Sequence, residues 1–120
     1  MEQVEYLWWA ECPSHDEGAA LLRAALAAEG LDAQVVSIEV TSEDEAQRLR
    51  FVGSPTFRVR EHDLDPQPVP TGAAGLYALT CRAYRREDGR IAPLPTLGWL
   101  RQTLRQALEQ PKADDLSGAS

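Results

Sequence analysis

From residue 3 to residue 10 the chain reads QVEYLWWA, β-rich and aromatic with an apolar run toward its end, which predicts a largely buried strand. The period then changes. In CPSHDEGAALLRAALAAEG (12–30), Leu21, Leu22, Ala25, Leu26 and Ala28 recur at helical spacing, alanine dominates, and Gly30 supplies a C-terminal stop. Proline directly after Cys12 is tolerated only in the first turn of a helix, so the pattern sets Cys12 at or next to the N-cap. DAQVVSIEV (32–40) is a second strand. TSEDEAQRLR (41–50) opens with Ser42 and, three residues on, Glu45, a capping box that predicts a short helix.

FVGSPTFRVR (51–60) turns at Gly53-Ser54-Pro55 and becomes strand again, while EHDLDPQPVPTGAAG (61–75), with three prolines and two glycines, reads as loop. LYALTCRAY (76–84) predicts a fourth strand, followed by a turn in RREDGR. In PTLGWLRQTLRQALEQ (95–110), Leu97, Leu100, Leu104 and Leu108 fall on one side of a last helix, with Trp99 beside them. The predicted order is β-α-β-α-β-β-α. A β-α-β opening requires a parallel pair with a right-handed crossover, and strands joined by a loop without a helix are expected antiparallel. The expected fold is therefore α/β, a mixed four-stranded sheet flanked by helices over residues 1–110, with PKADDLSGAS (111–120) as a disordered tail.

Length and composition fit this picture, since 120 residues with 43% hydrophobic and 26% charged side chains make one modest core. The net charge of −7 argues against nucleic acid as the main partner. The charge is uneven: Arg23 stands alone among the acids of residues 1–45, whereas arginines outnumber acids in 46–110. Arg58, Arg60, Arg82, Arg85, Arg86 and Arg90 are therefore either solvated edges or a local anion-binding face, with solvated edges the default. No apolar run is long enough to span a membrane, and the start MEQVEYLWW lacks the basic and long apolar segments of a signal peptide. The expected location is the cytoplasm, where two cysteines are more readily catalytic, redox-active or inert than a permanent staple.

The candidate chemistry lies in WWAECPSH (8–15). A thiolate is the nucleophilic form of cysteine, and a helix N-terminus offers unpaired N–H groups and partial positive charge, which lower a thiol from its free value of about 8.5. His15, three residues beyond Cys12, is placed by helical spacing over the same turn as an electrostatic or proton-transfer partner. Glu11, Asp16 and Glu17 oppose the thiolate, so the expected activation is modest. The competing account is a buried, inert cysteine closing the first strand.

The Trp-rich first strand, the Cys-Pro at the start of the first helix and GSPTF opening the third strand together resemble the thioredoxin/glutaredoxin superfamily over roughly residues 3–110. The resemblance implies a thioredoxin-like fold and a cis bond between Ser54 and Pro55, with Pro55 against Cys12. It also implies that Pro55 and the Thr56 backbone hold an extended thiol-bearing substrate by main-chain hydrogen bonds, with Trp9, Pro13 and Ser54 lining the same site. The dithiol enzymes of that superfamily carry Cys-x-x-Cys, and here His15 stands at the second sulfur's place, so a resolving step within one helical turn is ruled out. Cys81 is the other sulfur in the chain. If the strands 56–60 and 76–81 pair antiparallel, it arrives beside Pro55 and approaches Cys12; a slip of one residue turns it to the other face, and a core cysteine on a central strand, with Cys12 acting as a monothiol, is the alternative.

Trp8 and Trp9 point to opposite faces of a strand, so one is expected in the core and the other at the thiol site. His62 extrapolates along the third strand to roughly 20 Å from Cys12, leaving Cys12, His15 and Cys81 as the conceivable soft-metal ligands. Glutathione is not supported, because TCRAYRRED lacks the glycine pair with which the superfamily holds it. No cofactor is expected. The reading is a thiol–disulfide exchange protein acting on a thiol- or disulfide-bearing protein or small molecule, with no nucleic-acid or membrane partner. Cys12 is its expected nucleophile, His15 the partner and Cys81 a resolving thiol. Soft-metal or oxyanion thiol chemistry, and a non-catalytic binding module on the same fold, are the alternatives.

Overall fold

The computed structural model describes residues 2–65 and 77–109. In chain order its elements are β1 (Glu2–Trp8), α1 (His15–Glu29), β2 (Ala33–Glu39), α2 (Glu43–Arg48), β3 (Thr56–Val59), β4 (His62–Asp63), β5 (Tyr84–Arg85), β6 (Ile91–Ala92) and α3 (Leu97–Glu109). The main sheet has the order β2-β1-β3-β4, with β1 parallel to β2 and antiparallel to β3. It is thus a mixed four-stranded sheet with helices, as the sequence predicts. The tail 111–120 and most of the proline-rich segment lie outside the described residues.

Alternation along β1 builds two cores, one on each face of the sheet. Val4 and Tyr6 join Phe57 and Val59 of β3 and, with Leu22, Ala25, Leu26, Leu100 and Leu104, form the core beneath α1 and α3. Leu7 points the other way and meets Val40, Ala46 and Phe51 beneath α2. Trp8 packs against the first core and Trp9 against the second, each half-buried. In α3, Leu97 is 40% exposed, so the core stripe begins at Leu100, one turn later than the leucine spacing predicts.

The capping signals act where the sequence places them. The Ser42 hydroxyl accepts from the Glu45 amide, and Gly30 ends α1 at φ 63° with amides donating back to Ala27 and Leu26. Ser54–Pro55 is cis.

The fourth strand is elsewhere. The partner of β3 is β4, reached through a tight turn in which Arg60 (φ 52°) and Glu61 (φ 69°) both take left-handed conformations. Such two-residue hairpin turns ordinarily use Asn or Gly, so VREH carries no local signal for one. Tertiary contacts hold the turn instead: Arg60 donates to the Ala107 carbonyl at 2.9 Å and pairs with Glu2. The chain reverses here, so His62 does not continue β3 but opens β4 opposite Val59, exposed as a histidine outside the thiol site is expected to be. Segment 77–83 is not an antiparallel strand of the sheet. It touches the main fold through a parallel bridge between Ser54 and Cys81, and then forms a separate hairpin of β5 and β6.

Candidate functional site

After β1 the chain makes two turns before α1 begins. The Cys12 amide donates to the Trp9 carbonyl at 3.0 Å, and the His15 amide to the Cys12 carbonyl at 3.3 Å. The N-cap of α1 is Ser14, without a side-chain cap bond, and not Cys12. Cys12 therefore precedes the helix rather than capping it, because His15 and not Pro13 starts the helical run. Pro13 is exposed.

Cys12 is completely buried, and its thiol donates to the Ser54 carbonyl at 3.5 Å. Ser54 is a hub. Its hydroxyl accepts from the Trp9 amide at 3.0 Å, its amide donates to the Thr80 carbonyl at 2.8 Å, and its carbonyl also accepts from the Arg82 amide at 2.8 Å. One carbonyl of the cis-proline loop thus gathers Cys12 from one side and the segment around Cys81 from the other.

Gly53 makes this approach feasible. A Cβ there would lie 2.9 Å from the Arg82 Cα, and its φ of 133° suits glycine. Further anchors hold the segment: Ala78 donates to the Phe51 carbonyl at 3.0 Å, and the Leu79 amide donates to the Glu43 carboxylate. Arg82 is the strongest. Its buried guanidinium donates to Asp63 at 2.8 Å and to the Asp65 carbonyl at 3.0 Å, and lies 4.5 Å over the Tyr84 ring.

As a result both cysteines are brought to Ser54, Cys12 through its carbonyl and Cys81 through a backbone bridge. Both are free. Burial, then a hydrogen bond to Cys12 and then the charge of Cys12, push the Cys81 thiol up to about 11. The protonated form of Cys81 is therefore favoured in the folded protein.

His15 is turned elsewhere. Its ring stacks on Trp8 with centroids 4.7 Å apart, and its Nδ1 lies 3.3 Å from an Asp16 carboxylate oxygen. Among the described residues no His, Cys, Asp and Glu side chains cluster in threes as a metal site requires, so Cys12, His15 and Cys81 are not assembled around one point.

The backbone at the cis-proline is occupied by the chain itself. Thr56 is buried within the β1–β3 pair, its hydroxyl donates to the Gly53 carbonyl, and the Pro55 carbonyl accepts from the Tyr84 hydroxyl. A substrate peptide could pair with Ser54 only if 78–82 left. Of the arginines of the second half, Arg58 donates to the Arg50 carbonyl, Arg86 to the Leu94 carbonyl, and Arg90 pairs with Asp88 on the surface, while Arg85 is exposed.

No family model, curated protein or solved structure matches this chain. Among the described residues no helix is long and apolar enough to cross a membrane.

Two contributors escaped the sequence reading. Gly18, in the first turns of α1, is buried where a Cβ would lie 2.4 Å from the Tyr6 oxygen and 3.0 Å from Pro55 Cγ. Its lack of a side chain brings the helix down onto the cis-proline. Tyr6, buried under that turn, donates to the His15 carbonyl, and burial and the charge of Cys12 raise its hydroxyl far above the ordinary range. A glycine inside a helical pattern was the available signal for the first. Nothing local marks Tyr6 apart from any core tyrosine.

Proposed function

We propose that this chain is a thioredoxin-like thiol–disulfide exchange protein whose redox couple is Cys12 with Cys81. One observation carries the reading: the two cysteines of the chain, 69 positions apart in sequence, both come to Ser54, Cys12 through its thiol on the carbonyl and Cys81 through a backbone bridge. The β2-β1-β3-β4 order, the parallel β1–β2 pair and the cis Ser54–Pro55 bond next to Cys12 support the fold assignment. Oxidation removes two electrons and two protons from the two thiols and joins their sulfurs, and a disulfide-bearing substrate accepts those electrons as it is cleaved to two thiols. His15 is not needed to supply a second sulfur in this scheme. Its ring stacks on Trp8 instead.

The test is a non-reducing mass measurement after mild oxidation. The wild-type chain is expected two hydrogens lighter, and Cys81→Ser and Cys12→Ser unchanged as monomers. A wild-type mass unmoved by oxidant at neutral pH would overturn the couple. It would favour the second reading, a binding module on the same fold, which the complete burial of Cys12 makes specific.

A further inference from the structure

Exposure distinguishes the two sulfurs. Cys12 is completely buried, covered by the turn that follows β1 and by Ser54, whereas Cys81 is only partly buried. Cys81 also lines an open groove of about 400 Å³, whose other walls are Thr80, Arg82, Ala83, the β6 residues Ile91 and Ala92, and Pro93. Ile91 is 53% exposed along this groove, giving it an apolar flank. Arg82 brings no charge to it, because its guanidinium is completely buried against Asp63 and Asp65.

We infer that Cys81, and not Cys12, is the sulfur that exchanges with an external thiol, and that the groove between segment 80–83 and Ile91–Pro93 admits that thiol's substituent. The inference rests on the proposed Cys12–Cys81 couple and assigns its direction, reversing the roles that the sequence suggests.

The step balances as follows. An external thiol loses its proton and its thiolate attacks the Cys81 sulfur in the oxidised protein. A mixed disulfide forms at Cys81 as the Cys12–Cys81 bond breaks, and the electron pair of that bond leaves on the Cys12 sulfur. Cys12 takes up a proton and again donates to the Ser54 carbonyl. A second external thiolate then attacks its counterpart in the mixed disulfide, releasing a small disulfide and leaving Cys81 to be protonated. Two external thiols are oxidised, and the protein disulfide is reduced to two thiols.

The experiment uses the full-length oxidised chain, whose internal disulfide is first confirmed by its mass. It is treated briefly with 2-mercaptoethanol, quenched with acid and mapped by peptide mass under non-reducing conditions. The adduct is expected on the Cys81 peptide in at least tenfold excess over the Cys12 peptide. A majority on Cys12, or an even split, would overturn the inference while leaving the couple intact. If no internal disulfide forms, the couple and the inference fall together. A second measurement is independent of mapping: 5,5′-dithiobis(2-nitrobenzoate) at pH 8 should label Cys12→Ser, which retains Cys81, at least tenfold faster than Cys81→Ser. Equal or inverted rates count against it.

Discussion

At the scale of single residues, the informative group is the Cys81 thiol. Burial, the hydrogen bond to Cys12 and its charge raise it from 9.0 to about 11, so the folded state favours the protonated form. The linkage sign follows. The unfolded chain releases this proton first, so the stability held by the protonated thiol is present in full below pH 9 and is lost as pH rises through about 11. Cys81→Ala should remove that dependence. Urea midpoints of the two proteins, compared from pH 8 to pH 11, are expected to converge over the upper part of the range. A constant difference would show that the thiol is not so held. The reason is local: the Cys12 thiol gives its hydrogen bond to the Ser54 carbonyl, and the backbone bridge to Ser54 holds Cys81 beside it.

At the scale of elements, the packing of α1 on the cis-proline loop is decided at Gly18. Alanine is normally better than glycine in a helix by about 1 kcal/mol. Here its Cβ would press on the Tyr6 oxygen at 2.4 Å, on Pro55 Cγ at 3.0 Å and on Leu94 Cδ2 at 3.3 Å. Overpacking of this kind costs about 1–3 kcal/mol, which outweighs the propensity gain. Gly18→Ala is therefore expected to destabilise by about 1–2 kcal/mol in chemical denaturation. In a Tyr6→Phe background the same substitution should cost less, because the hydroxyl it strikes is gone. An additive double mutant would place the strain elsewhere.

The β3–β4 turn is a further case of context overriding local preference. Neither Arg60 nor Glu61 favours a positive φ, yet the ties from Arg60 to Ala107 and Glu2 hold the hairpin at α3 and β1.

For the whole molecule, Arg82 joins parts that are distant in sequence. From the segment carrying Cys81 it reaches Asp63 on β4, Thr56 on β3, the Asp65 carbonyl and the Tyr84 ring. Arg82→Met keeps the length and removes the charge, leaving Asp63 and Asp65 without it. Breaking a buried ion pair costs about 3–5 kcal/mol, and with the carboxylates about 20% exposed the expected loss is about 2–4 kcal/mol. The Ser54 amide, which donates to Thr80, should then exchange with solvent faster than the β1 amides. A variant with unchanged stability and unchanged Ser54 exchange would remove Arg82 from this role.

Much of this protein is determined by local rules that the chain carries openly. The strand-to-helix change of period at residues 10–15, the Ser42 cap, the Gly30 stop and the alternation of β1 follow from side-chain spacing and backbone preference, and each can be read without knowing its neighbours. They determine a mixed sheet with helices and a cysteine next to the first of them. Tertiary structure alone decided where the fourth strand lies, where His15 points and which segment occupies the cis-proline edge. The hairpin at 60–61 is held by long-range contacts of Arg60, the imidazole is drawn to Trp8 and Asp16, and segment 78–82 is held by Arg82 and Gly53. The hairpin and segment 78–82 depend on partners tens of residues away, absent from any local window, and the His15 ring meets Trp8 only once the turns at 9–14 have formed. Cys12 and Cys81 meet for the same reason, since the Ser54 carbonyl that gathers them acquires both its donors only when the chain is folded.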